Sequence, residues 1–200
     1  MIVNFEFWPT LAFAVVMFSW LAFVLVFALF LRQRPPAQPD SKRAGTSIVG
    51  IVLQGLAYAV VWTFRRPPFT PIASSSGWLE VALALLPMAL AIGSVCFISA
   101  AIRALGKQWS LAARVLEGHK LVTEGPYSVV RNPIYAGMFG MLLATGLAIS
   151  HWIGLLIATF LFAAGTLIRV QSEEKLLREA FGQQFEAYAR RVSAVVPFLF

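Results

Sequence analysis

The stretch His119–Tyr135, which reads HKLVTEGPYSVVRNPIY, decides the fold because it is a short polar bridge between two strongly apolar regions. It contains the steps Gly125-Pro126 and Asn132-Pro133. A proline disfavours the helical conformation of the residue before it, so the backbone here is predicted to be irregular. Irregular backbone at the edge of a membrane is expected only where protein or a wet cavity covers it. The stretch therefore predicts a buried site.

The region before this bridge has the length and composition of membrane helices. The chain of 200 residues is 59% hydrophobic and only 12% charged. Three runs without charged residues contain about 20 residues each, and a helix of that length spans about 30 Å of hydrocarbon. These runs are Leu11–Leu31, Thr46–Phe64 and Val81–Ile102. The second run contains Gln54, and a lone glutamine in a membrane helix more often bonds a neighbouring helix than a ligand.

The region after the bridge is also apolar, but it is too long for one crossing. Ile134–Ile168 contains no Asp, Glu, Lys or Arg, and as one helix it would be about 52 Å long. The pair Ser150-His151 near its midpoint predicts a turn between two shorter helices. The sequence therefore predicts an all-α polytopic membrane protein with five transmembrane segments, the last two of which form a helical hairpin.

The net charge of +7 reflects membrane topology and not nucleic-acid binding. Of the sixteen Lys and Arg, only Arg65 and Arg66 lie between the second and the third apolar runs. With the N-terminus outside, all the others lie on the cytoplasmic side, as the positive-inside rule requires. We therefore expect an integral membrane protein with an outside N-terminus, a cytoplasmic active site and C-terminus, and an attraction to anionic membrane lipids. Cys96 is the only cysteine and the two histidines are scattered, so no metal site is predicted.

The segment after the hairpin is polar and has helical periodicity. Gln171–Arg191 has apolar residues at helical spacing, which predicts an amphipathic cytoplasmic helix with a possible break at Gly182. Arg169 and Glu173, at the start of this segment, are four residues apart and share one helix face. An ordinary surface ion pair also fits this spacing.

The hairpin gives this ion pair a functional interpretation. Because both of its legs return to the same membrane face, polar groups from the bridge and from the last segment are predicted to converge on one pocket. These groups are Tyr127, Arg131, Asn132, Tyr135, Arg169, Glu173 and Glu174. Charged side chains at the membrane boundary need partners and are usually functional.

Several motifs resemble the isoprenylcysteine carboxyl methyltransferase family, whose members are integral membrane enzymes that use S-adenosyl-L-methionine. The resemblance covers residues 106–200, which we treat as a methyltransferase-like catalytic region, and residues 1–105 are treated as a region of three membrane helices. The motifs are L-V-T-x-G-P-Y in Leu121–Tyr127, R-N-P-x-Y-x-G in Arg131–Gly137, E-E-x-x-L-x-x-x-F-G-x-x-[YF]-x-x-Y in Glu173–Tyr188 and R-V-x-x-x-x-P in Arg191–Pro197.

The resemblance implies a role for individual residues. It assigns cofactor contacts to His119, Lys120, Leu121, Val122, Tyr127, Asn132, Pro133, Ile134, Tyr135 and Glu173. It assigns substrate binding to Arg169, and we name Arg169, Arg131 and Glu174 as candidate catalytic residues. Asn132 stands where the family usually has histidine, and an amide cannot titrate, so proton transfer is not expected there.

The implied activity is carboxyl methylation of a lipid-soluble or prenylated acceptor, as in isoprenylcysteine O-methylation. One alternative is a phospholipid or small amine N-methyltransferase, for which Glu174 or Glu173 becomes the candidate base. Another is an NADPH-dependent membrane reductase of the sterol type, and a third is a non-catalytic membrane scaffold. S-adenosylhomocysteine binding separates the methyltransferases from the last two.

Overall fold

The fold is a bundle of helices. The computed structural model describes residues 6–32, 42–43, 47–73, 77–106, 114–115 and 121–197. The helices are α1 (Phe7–Arg32), α2 (Ser47–Thr63), α3 (Trp78–Leu105), α4 (Pro133–Ile149), α5 (Trp152–Phe181) and α6 (Gln183–Ala189). Two short strands, β1 (Lys42–Arg43) and β2 (Arg114–Val115), pair antiparallel, and a 3-10 turn covers Gly125–Ser128. The predicted all-helical class is confirmed for the described residues, apart from this short strand pair.

Three of these helices are long and apolar enough to cross a membrane. They are α1, α3 and α5, of 26, 28 and 30 residues. The helices α2 and α4 are apolar but have only 17 residues, and a helix of that length is about 25 Å long. Length and composition therefore support three of the five predicted membrane segments, and the other two stay a prediction.

The predicted hairpin turn is confirmed, and an arginine from another connection holds it. The helix α4 ends at Ile149, and α5 begins at Trp152. Arg66, which follows α2, donates from its guanidinium to the carbonyl oxygens of Ser150, Leu147 and Ala148. Because the last carbonyls of a helix have no partner within the helix, these bonds close the end of α4.

The last long helix differs from the prediction. A membrane segment ending near Ile168 was expected, followed by a separate helix over Gln171–Arg191. Instead α5 continues without a break to Phe181, and only the seven residues of α6 form a separate helix. No proline or glycine lies between Gly165 and Gly182, so nothing interrupts the helix there. It ends at Gly182, whose φ of +50° is in the left-handed region that favours glycine.

The helices pack around α4, which contacts α1, α2, α3 and α5. The most extensive pairs are α2 with α5 and α3 with α4. In both pairs one helix belongs to residues 1–105 and the other to residues 106–200, the two regions into which we divided the chain. The division into 1–105 and 106–200 stays a prediction about domains, but the two parts share one packed bundle, and this packing brings α2 to the polar end of α5.

Candidate active site

The crossing of α2 and α5 is close because glycines line it. A Cβ atom added to Gly165 would lie 2.8 Å from the carbonyl oxygen of Gly50, and one added to Gly50 would lie 2.7 Å from the carbonyl oxygen of Gly165. Small residues at a helix crossing let the two backbones approach. Gly50 also lies directly against the aliphatic stem of Arg169. The crossing therefore brings a polar side chain of α2 within reach of the Arg169 guanidinium.

That polar side chain is Gln54. Its Oε1 accepts a hydrogen bond from Nη1 of Arg169 at 3.3 Å, and its Nε2 donates to Oγ1 of Thr166 at 2.9 Å. All three residues are buried, and Gln54 is only 2% exposed. The expectation that Gln54 bonds a neighbouring helix is confirmed, and its partner is one of the predicted site residues.

The other arm of Arg169 reaches a carboxylate and an aromatic ring. Nη2 of Arg169 lies 3.3 Å from Oε1 of Glu173, and the hydroxyl of Tyr135 donates to the same oxygen. The guanidinium carbon lies 4.8 Å from the centroid of the Tyr135 ring, which is cation–π distance. We call Gln54, Tyr135, Thr166, Arg169 and Glu173 the Arg169 cluster.

Exposure distinguishes the two charged members of the Arg169 cluster. The side chain of Glu173 is 23% exposed, whereas that of Arg169 is 9% exposed. Among the described residues, both hydrogen bonds to the Glu173 carboxylate go to Oε1. The Glu173 side chain is therefore the more exposed of the two charged members, and that of Arg169 is the more buried.

A second polar group, next to this cluster, ties the chain together. Nε of Arg131 lies 2.9 Å from Oε1 of Glu174, and Nη2 of Arg178 lies 3.3 Å from Oε2 of the same carboxylate. Arg131 also donates from Nη1 to the carbonyl oxygens of Ala189 and Val192. Charge-assisted bonds of this kind are stronger than neutral ones.

The backbone continues this connection. The amides of Arg131 and Asn132 donate to the carbonyl oxygens of Ser193 and Ala194 at 2.8 and 2.9 Å. Nδ2 of Asn132 donates to the carbonyl oxygen of Ala194 at 3.1 Å, and it lies 3.4 Å from Oε1 of Glu174. We call Arg131, Asn132, Glu174, Arg178 and residues 189–194 the C-terminal clasp.

Two buried tyrosines attach α6 to the 3-10 turn. The hydroxyl of Tyr188 donates to the carbonyl oxygen of Tyr127 at 2.6 Å. Burial raises the pKa of Tyr188 to about 12, with nearby Glu174 adding to the shift and Arg131 opposing it. Burial also raises the pKa of Tyr127 well above its ordinary value. Both phenols are therefore neutral near pH 7, and Tyr127 supplies a buried aromatic ring.

The predicted convergence of the two hairpin legs is confirmed by these contacts. Tyr135 meets Glu173, and Arg131 meets Glu174, so the start of α4 and the end of α5 share one polar region. The structure divides six of the seven predicted groups between the Arg169 cluster and the C-terminal clasp, and the seventh, Tyr127, contacts α6 through Tyr188. The individual roles of these residues stay predictions.

The remaining predicted cofactor contacts lie on the bridge. Leu121, Val122 and Ile134 are half-buried, and Pro133 is buried. Ile134 packs against the buried Ile98 and Ile102 of α3. His119 and Lys120 lie outside the described residues.

Sequence reasoning missed the link from Gln54 to Arg169. The available signal was a single amide side chain in an apolar helix, four residues after Gly50. This signal predicts that the amide bonds a neighbouring helix, but it does not identify that helix. The partner is 115 residues away in the chain. Thr166 was not singled out, because a threonine in a membrane helix commonly bonds its own backbone.

Comparison with known proteins adds independent information. The sequence matches the family described as phospholipid methyltransferase over residues 81–184, which is just over half of the chain. Protein-S-isoprenylcysteine O-methyltransferase B of Arabidopsis thaliana is 35% identical over 83 residues, covering 42% of this chain and 42% of that protein. Protein-S-isoprenylcysteine O-methyltransferase of Schizosaccharomyces pombe is 30% identical over 112 residues, covering 55% of this chain and 47% of that protein.

A bacterial relative matches a longer part of the chain. Methanethiol S-methyltransferase 2 of Bradyrhizobium diazoefficiens is 29% identical over 192 residues, covering 88% of this chain and 73% of that protein. The chain thus spans less than half the length of the two isoprenylcysteine relatives and most of the length of the bacterial one. The names of these relatives differ in the atom that receives the methyl group, which is oxygen in the first two and sulfur in the third.

Proposed function

We propose, from the premise that this chain belongs to the phospholipid methyltransferase family, that it is a membrane methyltransferase that uses S-adenosyl-L-methionine to methylate a lipophilic acceptor. The acceptor group that we propose is a carboxylate, as in isoprenylcysteine O-methylation. The observation that carries the proposal is the Arg169 cluster, in which a buried arginine and a partly exposed glutamate meet at one end of an apolar bundle. Charged groups in such a place are usually functional.

The residues of the cluster fit the proposed cofactor by their chemistry. S-adenosyl-L-methionine has a sulfonium cation, an ammonium group and a ribose diol, together with an adenine ring and a carboxylate. The accessible carboxylate of Glu173 can accept hydrogen bonds from an ammonium group or from ribose hydroxyls. The rings of Tyr127 and Tyr135 can stack on adenine or face a cation. When bound, this cofactor supplies an electrophilic methyl group, and sulfur keeps the electron pair of the broken bond.

Within this proposal Arg169 binds the acceptor. A guanidinium forks onto a carboxylate with two parallel hydrogen bonds, which fixes both position and orientation. A carboxylate is already ionised near neutral pH, so its methylation requires no general base. The chain would contribute mainly alignment of the acceptor oxygen, which can supply about 7–11 kcal/mol. Closure against water would add to this, since the attacking oxygen loses its hydration shell.

The roles of Arg131 and Glu174 are proposed separately. In the amine alternative Glu174 would act as a base, but its carboxylate is already engaged by Arg131, Arg178 and Asn132. These contacts favour a positioning role, in which the C-terminal clasp fixes the start of α4 and hence Tyr135. We propose Leu121, Val122, Asn132, Pro133 and Ile134, with His119 and Lys120, as the bridge side of the cofactor site.

The orientation in the membrane is also a proposal. The Arg169 cluster lies at the end of the bundle where Arg131 and Arg178 also lie, whereas Arg65 and Arg66 lie at the opposite end of α4. The positive-inside rule supports a cytoplasmic location for the end with the cluster. An acceptor whose apolar tail stays in the lipid could then present its polar head to the cluster.

A thiol acceptor is a second candidate, favoured by the bacterial relative that matches 88% of the chain. The purified protein should be given labelled methyl donor with three acceptors: an S-farnesylated N-acetylcysteine, a short alkyl thiol and phosphatidylethanolamine. Methylation of the first supports the carboxylate proposal. Transfer to the thiol or the amine alone would reject it and identify the acceptor atom.

Cofactor binding tests the proposal before any acceptor is known. S-adenosylhomocysteine should bind the purified protein saturably, and Glu173→Ala should abolish that binding without unfolding the protein. Glu80→Ala removes the same charge from the first turn of α3, at the other end of the bundle, and should bind normally. Retained binding in Glu173→Ala would remove the proposed role of this residue. Binding of NADPH and not of S-adenosylhomocysteine would reject the methyltransferase activity.

A further inference from the structure

The contact between Gln54 and Arg169 joins the candidate site to a helix outside the family match, which begins at residue 81. We propose that Gln54 is a positioning residue that holds the Arg169 guanidinium in place for an acceptor carboxylate while Glu173 serves the cofactor. This inference rests on the proposed function and deepens it. It gives α2, which lies outside the sequence motifs, a role in recognising the acceptor.

The geometry gives each arm of the guanidinium its own partner. Nη1 bonds Oε1 of Gln54, and Nη2 bonds Oε1 of Glu173, both at 3.3 Å. The two partners differ in accessibility, since Gln54 is 2% exposed and the Glu173 side chain is 23% exposed. If Glu173 turns towards the cofactor, the contact with Gln54 remains inside the bundle. The guanidinium then keeps its position.

The charge of the two partners also differs. A carboxylate neutralises the guanidinium, whereas an amide oxygen orients it and leaves its positive charge available. An acceptor carboxylate is attracted more strongly to the second kind of arginine, so Arg169 becomes available to it once Glu173 turns towards the cofactor. An amide at position 54 therefore suits an arginine that must stay in one place and still bind an anion. A glutamate there would hold the side chain but compete with the acceptor.

The amide itself is fixed by a second bond. Nε2 of Gln54 donates to Oγ1 of Thr166 at 2.9 Å, so its oxygen faces Arg169. The close contact of Gly50 with the stem of Arg169 fixes the other end of that side chain. Thr166 lies one helical turn before Arg169 on α5, so α5 supplies both the arginine and the anchor for the amide that orients it.

The test compares two variants of α2 in the full-length protein. Gln54→Met keeps the length of the side chain but removes the acceptor oxygen. We expect kcat/KM for S-farnesylated N-acetylcysteine to fall about tenfold or more, because a hydrogen bond to a charged group is lost. The affinity for S-adenosylhomocysteine should stay unchanged. Tyr58→Phe is the matched control, since it removes the hydrogen bond from the Tyr58 hydroxyl to the carbonyl oxygen of Met138, one turn further along α2.

A binding measurement gives a readout that does not depend on turnover. The unmodified protein should bind the S-farnesylated N-acetylcysteine more tightly than the corresponding amide, because only the acid attracts Arg169. Gln54→Met should reduce this preference, and so should Gln54→Glu, which keeps an acceptor oxygen but adds a competing charge. Combining Gln54→Met with Arg169→Ala should cost nothing beyond the loss caused by Arg169→Ala alone.

The outcomes separate this inference from the proposed function. If the unmodified protein does not bind S-adenosylhomocysteine, the proposed function fails. If it binds and methylates, but Gln54→Met has the same kinetics as Tyr58→Phe, only the role of Gln54 fails. Equal affinity of the unmodified protein for acid and amide also overturns the role. If Gln54→Met does not fold, the same measurement is made on Gln54→Glu and Thr166→Val. An unchanged preference of both variants for the acid over the amide would overturn the role of Gln54.

Discussion

An arginine lies at each end of α4, Arg66 half-buried and Arg169 buried, and the partners of the two differ. At the C-terminal end, Arg66 donates to the backbone carbonyls of Ser150, Leu147 and Ala148, and its Nε donates to that of Thr70. At the N-terminal end, Arg169 bonds the side chains of Gln54 and Glu173. Backbone carbonyls cannot leave without opening the helix end, whereas side chains can rotate. The first arrangement is structural, and the second can exchange a partner for a ligand.

Charge supports the same distinction. Burial lowers the pKa of Arg66 to about 10, so its guanidinium is still protonated at neutral pH and can complement the negative end of the α4 dipole. The positive charge of Arg169 instead faces a carboxylate that is accessible. If Arg169 binds the acceptor as proposed, the kind of partner distinguishes a binding arginine from a structural one.

The largest effect is expected at Glu174, and it tests whether the C-terminal clasp stabilises the fold and takes no part in the chemistry. Glu174→Ala leaves Arg131 and Arg178 without their common carboxylate, and breaking a buried ion pair costs about 3–5 kcal/mol. The thermal unfolding temperature in detergent should fall accordingly. Glu186→Ala, which removes an exposed partner of Arg178, is the control and should change little. A Glu174→Ala protein with normal stability and no activity would place Glu174 in the chemistry instead.

The next prediction concerns Arg169 itself. Arg169→Ala should lower kcat/KM for the acid acceptor about 100-fold, which corresponds to about 2.7 kcal/mol. The affinity for S-adenosylhomocysteine, measured by calorimetry, should fall by less than about tenfold, because Glu173 remains and keeps its bond from Tyr135. Arg103→Ala removes the same charge from an exposed position in the last turn of α3 and serves as the control. Equal losses of cofactor and acceptor binding would show that Arg169 does not act on the acceptor alone.

The third prediction tests the opposite end of α4. Arg66→Ala should destabilise the protein by about 2 kcal/mol, since a charge at a helix C-terminus and its hydrogen bonds are lost. The remaining folded protein should have unchanged kcat and KM. A thermal unfolding experiment measures the loss of stability, and a steady-state assay on the same sample measures kcat and KM. A large kinetic defect with normal stability would reverse the assignment of the two arginines.

The smallest effect is expected at Tyr135. Tyr135→Phe removes the hydroxyl that donates to Glu173 but keeps the ring beneath the Arg169 guanidinium. The affinity for S-adenosylhomocysteine should fall about three- to tenfold, because the carboxylate loses a bond that orients it. A calorimetric titration beside Tyr58→Phe measures the difference. An unchanged affinity would mean that the hydroxyl has no influence on the cofactor.

Much of the architecture was predictable, because local patterns carry it. The absence of charge over Ile134–Ile168 and the pair Ser150-His151 predicted the hairpin, which also predicted that Arg131 and Glu173 would lie near each other. The continuation of α5 to Phe181 was missed because the change from apolar to polar residues near Arg169 was interpreted as a helix boundary. Polarity changes where a helix leaves the membrane, but only a breaker such as Gly182 ends the helix.

The contacts between distant parts of the chain could not be predicted. Gln54 bonds Arg169 because α2 lies along α5, and a single sequence does not show which helices are neighbours. Arg66 was assigned to a loop by its position after α2, and nothing local indicates that it closes the end of α4, more than 80 residues later. Both cases depend on packing, which is set by shape and not by sequence period.

The C-terminal clasp has a consequence for biosynthesis. The guanidinium of Arg131 bonds the carbonyl of Val192, 61 positions later, so the clasp joins parts of the chain that leave the ribosome at different times. At about 5–20 residues per second, Arg131 waits about 3–12 s for its partner. During that interval the donors of Arg131 must be satisfied by water or lipid headgroups at the membrane surface. The polar end of the bundle is therefore completed only after residue 192 has been synthesised.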